Sequence, residues 1–216
     1  MATAAGYAVG SLSSTRLLAR FVARGEDLST TEYTIDANNT LVSHGVSPSS
    51  LGARHGGGWG GLAAVMDIAK AAAVTGVVKS LAPESQRRPE AATASAAAVL
   101  GHAYPAFHGG LGGFGQSPIL GGALVLDWRS VPVTTGVGWV CGVAIGDALI
   151  ALEAWPALMV PYAVWREDRA LLLWSLAVNA VYWVRMAPEV RQRLQYYRTD
   201  RPRWRQRVTE VFQGQF

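Results

Sequence analysis

Charge is what this chain of 216 residues has least of. Only 16% of its residues are Asp, Glu, Lys or Arg, against roughly 25% in ordinary soluble domains, and half are apolar. Such a balance argues against a conventional soluble surface and for a membrane protein. Mean hydropathy is only +0.18, because the apolar residues are largely Ala and Gly rather than Leu and Ile. Cysteine is nearly missing too: Cys141, alone in an apolar run, excludes an internal disulfide or a cysteine-based metal cluster. His44, His55 and His108 have no metal-ligand spacing with acidic partners, which argues against zinc. A basic n-region and a small-residue cleavage site are both absent ahead of the first apolar segment, so it reads as a retained helix rather than a secretory signal. The most local absence lies in "GHAYPAFHGGLGGFGQSP", residues 101–118. A Gly-rich turn preceded by histidine is half of a phosphate site, yet this one holds no lysine or arginine.

What is present supports several spans. Residues 91–126 carry no Asp, Glu, Lys or Arg, enough for most of two helices at roughly 20 residues per crossing, with the Gly-rich loop between them. Further apolar segments at 1–20, 59–81, 131–149, 154–165 and 170–184 bring the expectation to an all-α polytopic bundle of about seven transmembrane helices. Residues 1–190 form its single domain and residues 191–216 a basic tail. Most tryptophans fall near proposed span ends, as an interfacial belt places them. Seven spans put 12 of the 19 lysines and arginines on the side that also carries the C-terminus and the Gly-rich loops. By the positive-inside rule that side is cytoplasmic, and the expected location is the cell membrane.

The C-terminal "VRQRLQYYRTDRPRWRQRV" interleaves arginines with aromatics. After a membrane span this pattern suits anionic lipid headgroups, at about 1 kcal/mol per basic residue, rather than nucleic acid. Within the spans, Asp67 and Lys70 stand three residues apart and share a helix face, where each offsets the other's burial cost. The spacing fits a functional acid and base or a structural ion pair. An ion path for transport is a further alternative, although no internal repeat supports it.

Three separated stretches stand in order along the chain. "GSLSSTRLLAR" supplies Gly10, Ser11 and Arg20. "VSHGVSPSSLGARHGGGWGGLAAVMDIAK" supplies Ser43, Ser49, Asp67 and Lys70. "GHAYPAFHGGLGGFG" supplies Gly101, His102, Tyr104, Pro105, Gly112, Gly113 and Gly115. Together, on this span pattern, they resemble the motifs of the PlsY family, bacterial membrane acyltransferases that move a fatty acyl group from acyl phosphate to glycerol 3-phosphate. The resemblance covers nearly the whole chain. A weaker echo of the family's closing acidic-basic helix lies around Glu189.

The resemblance implies an enzyme of phospholipid biosynthesis that makes lysophosphatidic acid, with no cofactor, no metal and no nucleic acid, working as a monomer. It implies Ser11 and His102 at the catalytic centre. Arg20, Ser43, Ser49, Lys70, Gly112, Gly113 and Gly115 are the implied substrate and phosphate contacts, and Arg54, in the second loop beside His44, is a further phosphate-binding candidate that replaces a lost polar contact. Such a reaction needs the acceptor hydroxyl held against the carbonyl and the developing charge stabilised. His102 or a substrate phosphate can serve as base, and Ser11 and Arg20 can equally bond their own helix or anchor it at the membrane surface.

Three departures remove polar groups from the proposed site. Where the family's third motif has asparagine, a basic residue and lysine, this chain has Ala103, Leu111 and Phe114. Losing a charge-assisted phosphate contact costs about 1.5–3 kcal/mol, so active catalysis requires relocated cations, with Arg16, Arg54 and the C-terminal arginines as candidates. An acyltransferase for a less anionic acceptor and a non-catalytic membrane scaffold that binds lipid are the alternatives.

Overall fold

A computed structural model describes residues 1–36, 39–145 and 153–199. The first apolar segment is not one helix, as expected, but two. Helix α1 (Ala2–Gly10) stops at Ser11, and Ser13 turns extended, with φ −88 and ψ 106. Its hydroxyl then accepts the Arg16 N–H at 3.2 Å to start α2 (Ser14–Val22). An N-cap serine ends one helix direction and begins another because its side chain satisfies a backbone donor that the new helix leaves free. Helix α2 is amphipathic: Leu18 is buried, whereas Leu17 and Phe21, one turn apart, are exposed.

A feature the all-α reading missed follows. Strands β1 (Thr30–Asp36) and β2 (Asn39–His44) pair antiparallel, with Thr31 opposite Ser43. The threonine-rich β1 suits a pleated surface better than a helix. Helix α3 (Pro48–His55) opens on a capping box between Ser47 and Ser50, with proline in the first turn. Next come α4 (Gly57–Leu81), α5 (Arg87–Ala103), α6 (Gln116–Asp127) and α7 (Ser130–Ile145), then α8 (Trp155–Trp165) and α9 (Arg169–Thr199). The 3-10 turn Ala106–His108 lies in the loop between α5 and α6, where the uncharged stretch was expected to turn.

Helix α9 ties the hairpin down: the Gln192 amide donates to the Val42 carbonyl at 2.9 Å and accepts its N–H at 3.0 Å. The main core gathers Val99, Ile119, Met159, Leu171, Trp174, Val178 and Tyr182 from α5, α6, α8 and α9. Trp174 satisfies its indole N–H on Ser95 at 2.9 Å. A smaller cluster of Leu18, Leu28, Val46, Leu51 and Ala63 sits beneath α2 and α3.

Helix α1 lies on α5 at backbone distance. A Cβ at Gly6 or Gly10 would come within 2.2 Å of the carbonyl oxygens of Ala94 and Ala98 respectively, so only glycine permits this approach. Gly101 returns the contact against the Tyr7 carbonyl.

Among the described residues, Gly57–Leu81 and Arg169–Gln195 are long and apolar enough to cross a membrane, and Ser130–Ala144 is a shorter apolar helix. The end of the expected 131–149 span and the basic tail from residue 200 onward lie outside the described residues.

Candidate active site

The Gly-rich loop from residue 104 to 115 lies across the end of α5, and its glycines are what let it lie there. A Cβ at Gly112 would fall 1.9 Å from the His102 carbonyl oxygen, and one at Gly113 would fall 2.4 Å from His102 Nε2. Gly109, Gly110 and Gly115 take φ of +63, +77 and +100, a region that side chains rarely enter. The Gly113 N–H donates to the His102 carbonyl at 3.3 Å. This loop is therefore pressed onto the histidine that precedes it.

Beneath the loop is a charged cluster. Asp67 is wholly buried and Lys70 nearly so, with Nζ to Oδ1 at 2.7 Å across one helical turn. His102, also buried, places Nδ1 3.7 Å from Asp67 Oδ1 and 3.4 Å from Lys70 Nζ. Lys70 reaches further, to the carbonyls of Gly10 at 3.2 Å and Leu12 at 2.5 Å. These carbonyls flank Ser11 at the gap between α1 and α2. The buried Ser11 donates to Tyr7 O at 2.9 Å and accepts the Ala106 N–H at 3.4 Å, which binds the first motif to the third. An ammonium can only donate, so the His102 nitrogen facing Lys70 is the acceptor. The neutral ring then carries its proton on Nε2, toward Gly113.

The loop has its cations after all, brought by other elements. Arg16 of α2 donates to the Leu111 carbonyl at 2.8 Å. Arg185 of α9 donates to the Gly112 carbonyl at 2.8 Å and stacks over the Tyr104 ring at 5.4 Å. Arg20, one turn after Arg16, is exposed. Partial burial, then the charges of Arg16 and Arg20, depress the His108 pKa below its ordinary value, so the rim of the loop is electropositive. The two departures behave differently: Leu111 is exposed, whereas Phe114 packs against the main core.

Of the expected site residues, the structure brings together Ser11, Lys70, Asp67, His102, Gly112 and Gly113, with Arg20 at the rim and Gly115 as the N-cap of α6. Arg54 is not brought there. It binds Glu26 Oε1 at 2.5 Å, the Asp27 carbonyl at 2.9 Å and the Thr30 carbonyl, and His55 completes this clasp on Glu26 Oε2 at 2.8 Å. Ser49 is exposed on α3, while its neighbours Ser47 and Ser50 do the buried capping. Ser43 is buried on β2 against the Glu189 carboxylate, and a Cβ at Gly45, two residues on, would fall 2.9 Å from the Gly112 carbonyl oxygen. Arg185 is the residue sequence reasoning passed over. Its signal was its place as the first charge after a long apolar run, which reads equally as a membrane anchor.

Comparison with known proteins bears on the whole chain. The glycerol-3-phosphate acyltransferase of Hahella chejuensis is 29% identical over 178 residues, 80% of this chain and 83% of that protein. Two crystal structures of the integral membrane glycerol 3-phosphate acyltransferase PlsY, in its glycerol 3-phosphate and lysophosphatidic acid forms, share the fold. Each has a TM-score of 0.73 over 90% of both chains, at 19% and 17% identity respectively. Residues 1–195 match the glycerol-3-phosphate acyltransferase family, and the chain belongs to that family of enzymes.

Proposed function

We propose that this protein transfers a fatty acyl group from acyl phosphate to the hydroxyl of glycerol 3-phosphate at the cytoplasmic face of the cell membrane, releasing lysophosphatidic acid and inorganic phosphate. The observation that carries this reading is the convergence of Ser11, Asp67, Lys70 and His102 under a Gly-rich loop whose rim is held by Arg16 and Arg185. A scaffold that had lost its chemistry would have no need to keep a buried ion pair beside a histidine, since such a pair stabilises a fold little better than packed apolar groups do.

The chemistry asks for little beyond placement and charge. The acceptor oxygen attacks the acyl carbonyl carbon, the new C–O bond replaces the bond to phosphate, and phosphate leaves with the electron pair. Acyl phosphate already has a good leaving group, so no covalent enzyme intermediate is needed. His102, with its lone pair turned to Lys70, is a hydrogen-bond donor toward the loop rather than a base. The acceptor proton then passes to a phosphate oxygen of the substrates. The cationic rim stabilises the charge that builds on oxygen.

Membranes containing the protein, supplied with acyl phosphate and glycerol 3-phosphate, are expected to form lysophosphatidic acid. Product no greater than in membranes from an empty-vector strain rejects the reading. Turnover confined to an uncharged alcohol transfers it to a less anionic acceptor.

A further inference from the structure

Lys70 is the obvious cation for a substrate phosphate, but its donors are already spent. An ammonium offers three N–H groups, and the Gly10 carbonyl, the Leu12 carbonyl and His102 Nδ1 take all of them at 3.4 Å or less, while Asp67 Oδ1 pairs with the charge at 2.7 Å. Arg185 is partly spent as well, on the Gly112 carbonyl and the Tyr104 ring. Arg16 differs. Its Nη2 is on the Leu111 carbonyl, its buried Nε has no partner, and no carboxylate within 4 Å pairs with it among the described residues. Asp27 lies only within longer electrostatic reach. A guanidinium with one N–H fixed and the rest unused is a pre-aimed fork, the geometry that suits a phosphate.

We infer that Arg16 is a specificity-determining residue of the acyl-transfer site, receiving the phosphate dianion of the water-soluble acceptor beside Arg20 and standing in for the cation that position 111 lacks. Ser13 caps α2 and so fixes where Arg16 sits. The helix turn then brings Arg20 to the same face, and the next residues, Leu17 and Phe21, are exposed and apolar. Helix α2 thus offers one face to lipid and another, cationic, to the loop. A soluble phosphate monoester meets the rim first, whereas the acyl chain of the donor is held by lipid. This places the acceptor's phosphate, rather than the donor's, on Arg16.

The inference rests on the acyltransferase reading, and the experiment separates the two. Steady-state kinetics would be measured for wild type, R16Q, R16A and R16Q/L111K in detergent-solubilised or membrane form. Glutamine keeps an N–H for the Leu111 carbonyl and removes the charge. R16Q is expected to raise KM for glycerol 3-phosphate about ten- to a hundredfold, the range for a lost charge-assisted contact, while KM for acyl phosphate stays unchanged. Lysine at position 111 is expected to recover part of that loss. A wild-type KM in R16Q with a fall in kcat only in R16A makes Arg16 a loop-holding residue and overturns the inference. So does an equal rise of both KM values. If wild type forms no product, the acyltransferase reading fails by itself, and the clamp is then read by thermal unfolding in the presence of inorganic phosphate. Phosphate is expected to stabilise wild type more than R16Q, and equal stabilisation overturns the clamp.

Discussion

The inner cluster and the outer rim of this site carry positive charge in opposite ways. Inside, Asp67 and Lys70 sit on one turn of α4 and neutralise each other, with His102 leaning on both. At the rim, Arg16 and Arg185 arrive from α2 and α9, and each rests on a loop carbonyl rather than on a carboxylate. An inner charge is held mainly by its partner and is costly to expose alone. A rim charge keeps donors in reserve, so its removal is felt by the ligand before it is felt by the fold.

The largest effect expected from breaking this contrast is at Lys70. Lys70→Met leaves a buried carboxylate without its cation, and removing one partner of a buried pair costs about 3–5 kcal/mol. Thermal unfolding in detergent is expected to show that loss, and Asp67→Asn together with Lys70→Met to recover most of it. A single variant as stable as wild type would mean that the inner pair does not compensate its own burial.

The rim should respond in the other currency. Arg20→Gln is expected to leave the unfolding temperature near wild type and to lower kcat/KM for glycerol 3-phosphate by roughly ten- to a hundredfold, corresponding to about 1.5–3 kcal/mol of lost contact. A loss of stability larger than the loss of activity would erase the distinction.

The two replaced loop positions sharpen it further. Leu111→Lys changes an exposed side chain and is expected to move stability by no more than about 0.5 kcal/mol. Phe114→Lys takes an aromatic out of contact with the main core and is expected to cost about 1–3 kcal/mol. Unfolding curves for both variants compare them directly, and equal costs would mean that the two positions do not differ in burial as described.

The smallest effect belongs to the clasp away from the site. The Arg54 hydrogen bond, followed by that of His55, holds the Glu26 carboxyl below its ordinary pKa. A depressed carboxylate contributes stability that is present above its unfolded pKa and lost as pH falls through the folded one. The gap in unfolding temperature between wild type and Glu26→Gln should therefore be slight near neutrality and close in acid. A gap that widens in acid would reverse the sign.

How much of this could be read beforehand depends on distance along the chain. Asp67 and Lys70 were legible because helical spacing alone puts them on one face. The placing of α5 and α6 around the Gly-rich loop was legible because an uncharged run of that length has few other uses. The hairpin was not, because its threonines compete with a generally helical context and its anchor, Gln192, comes from the far end of the chain. Nor was the division of the first segment at Ser13, since serine in an apolar stretch bonds its own helix as readily as it caps a new one. Arg54, Arg16 and Arg185 are chemically alike in sequence. Only tertiary packing sends the first to Glu26 and the other two to the loop.

The glycine seam between α1 and α5 sets a gauge for the whole arrangement. With Gly6 and Gly10 seated on the Ala94 and Ala98 backbones, α1 cannot slide along α5 by less than a full notch of the interlock. The height of Ser11 above Gly101 is therefore set by main-chain atoms, which do not change with substitution as side chains do. Side chains around the loop can drift, as Leu111 and Phe114 have, without shifting the frame against which a replacement cation has to be aligned.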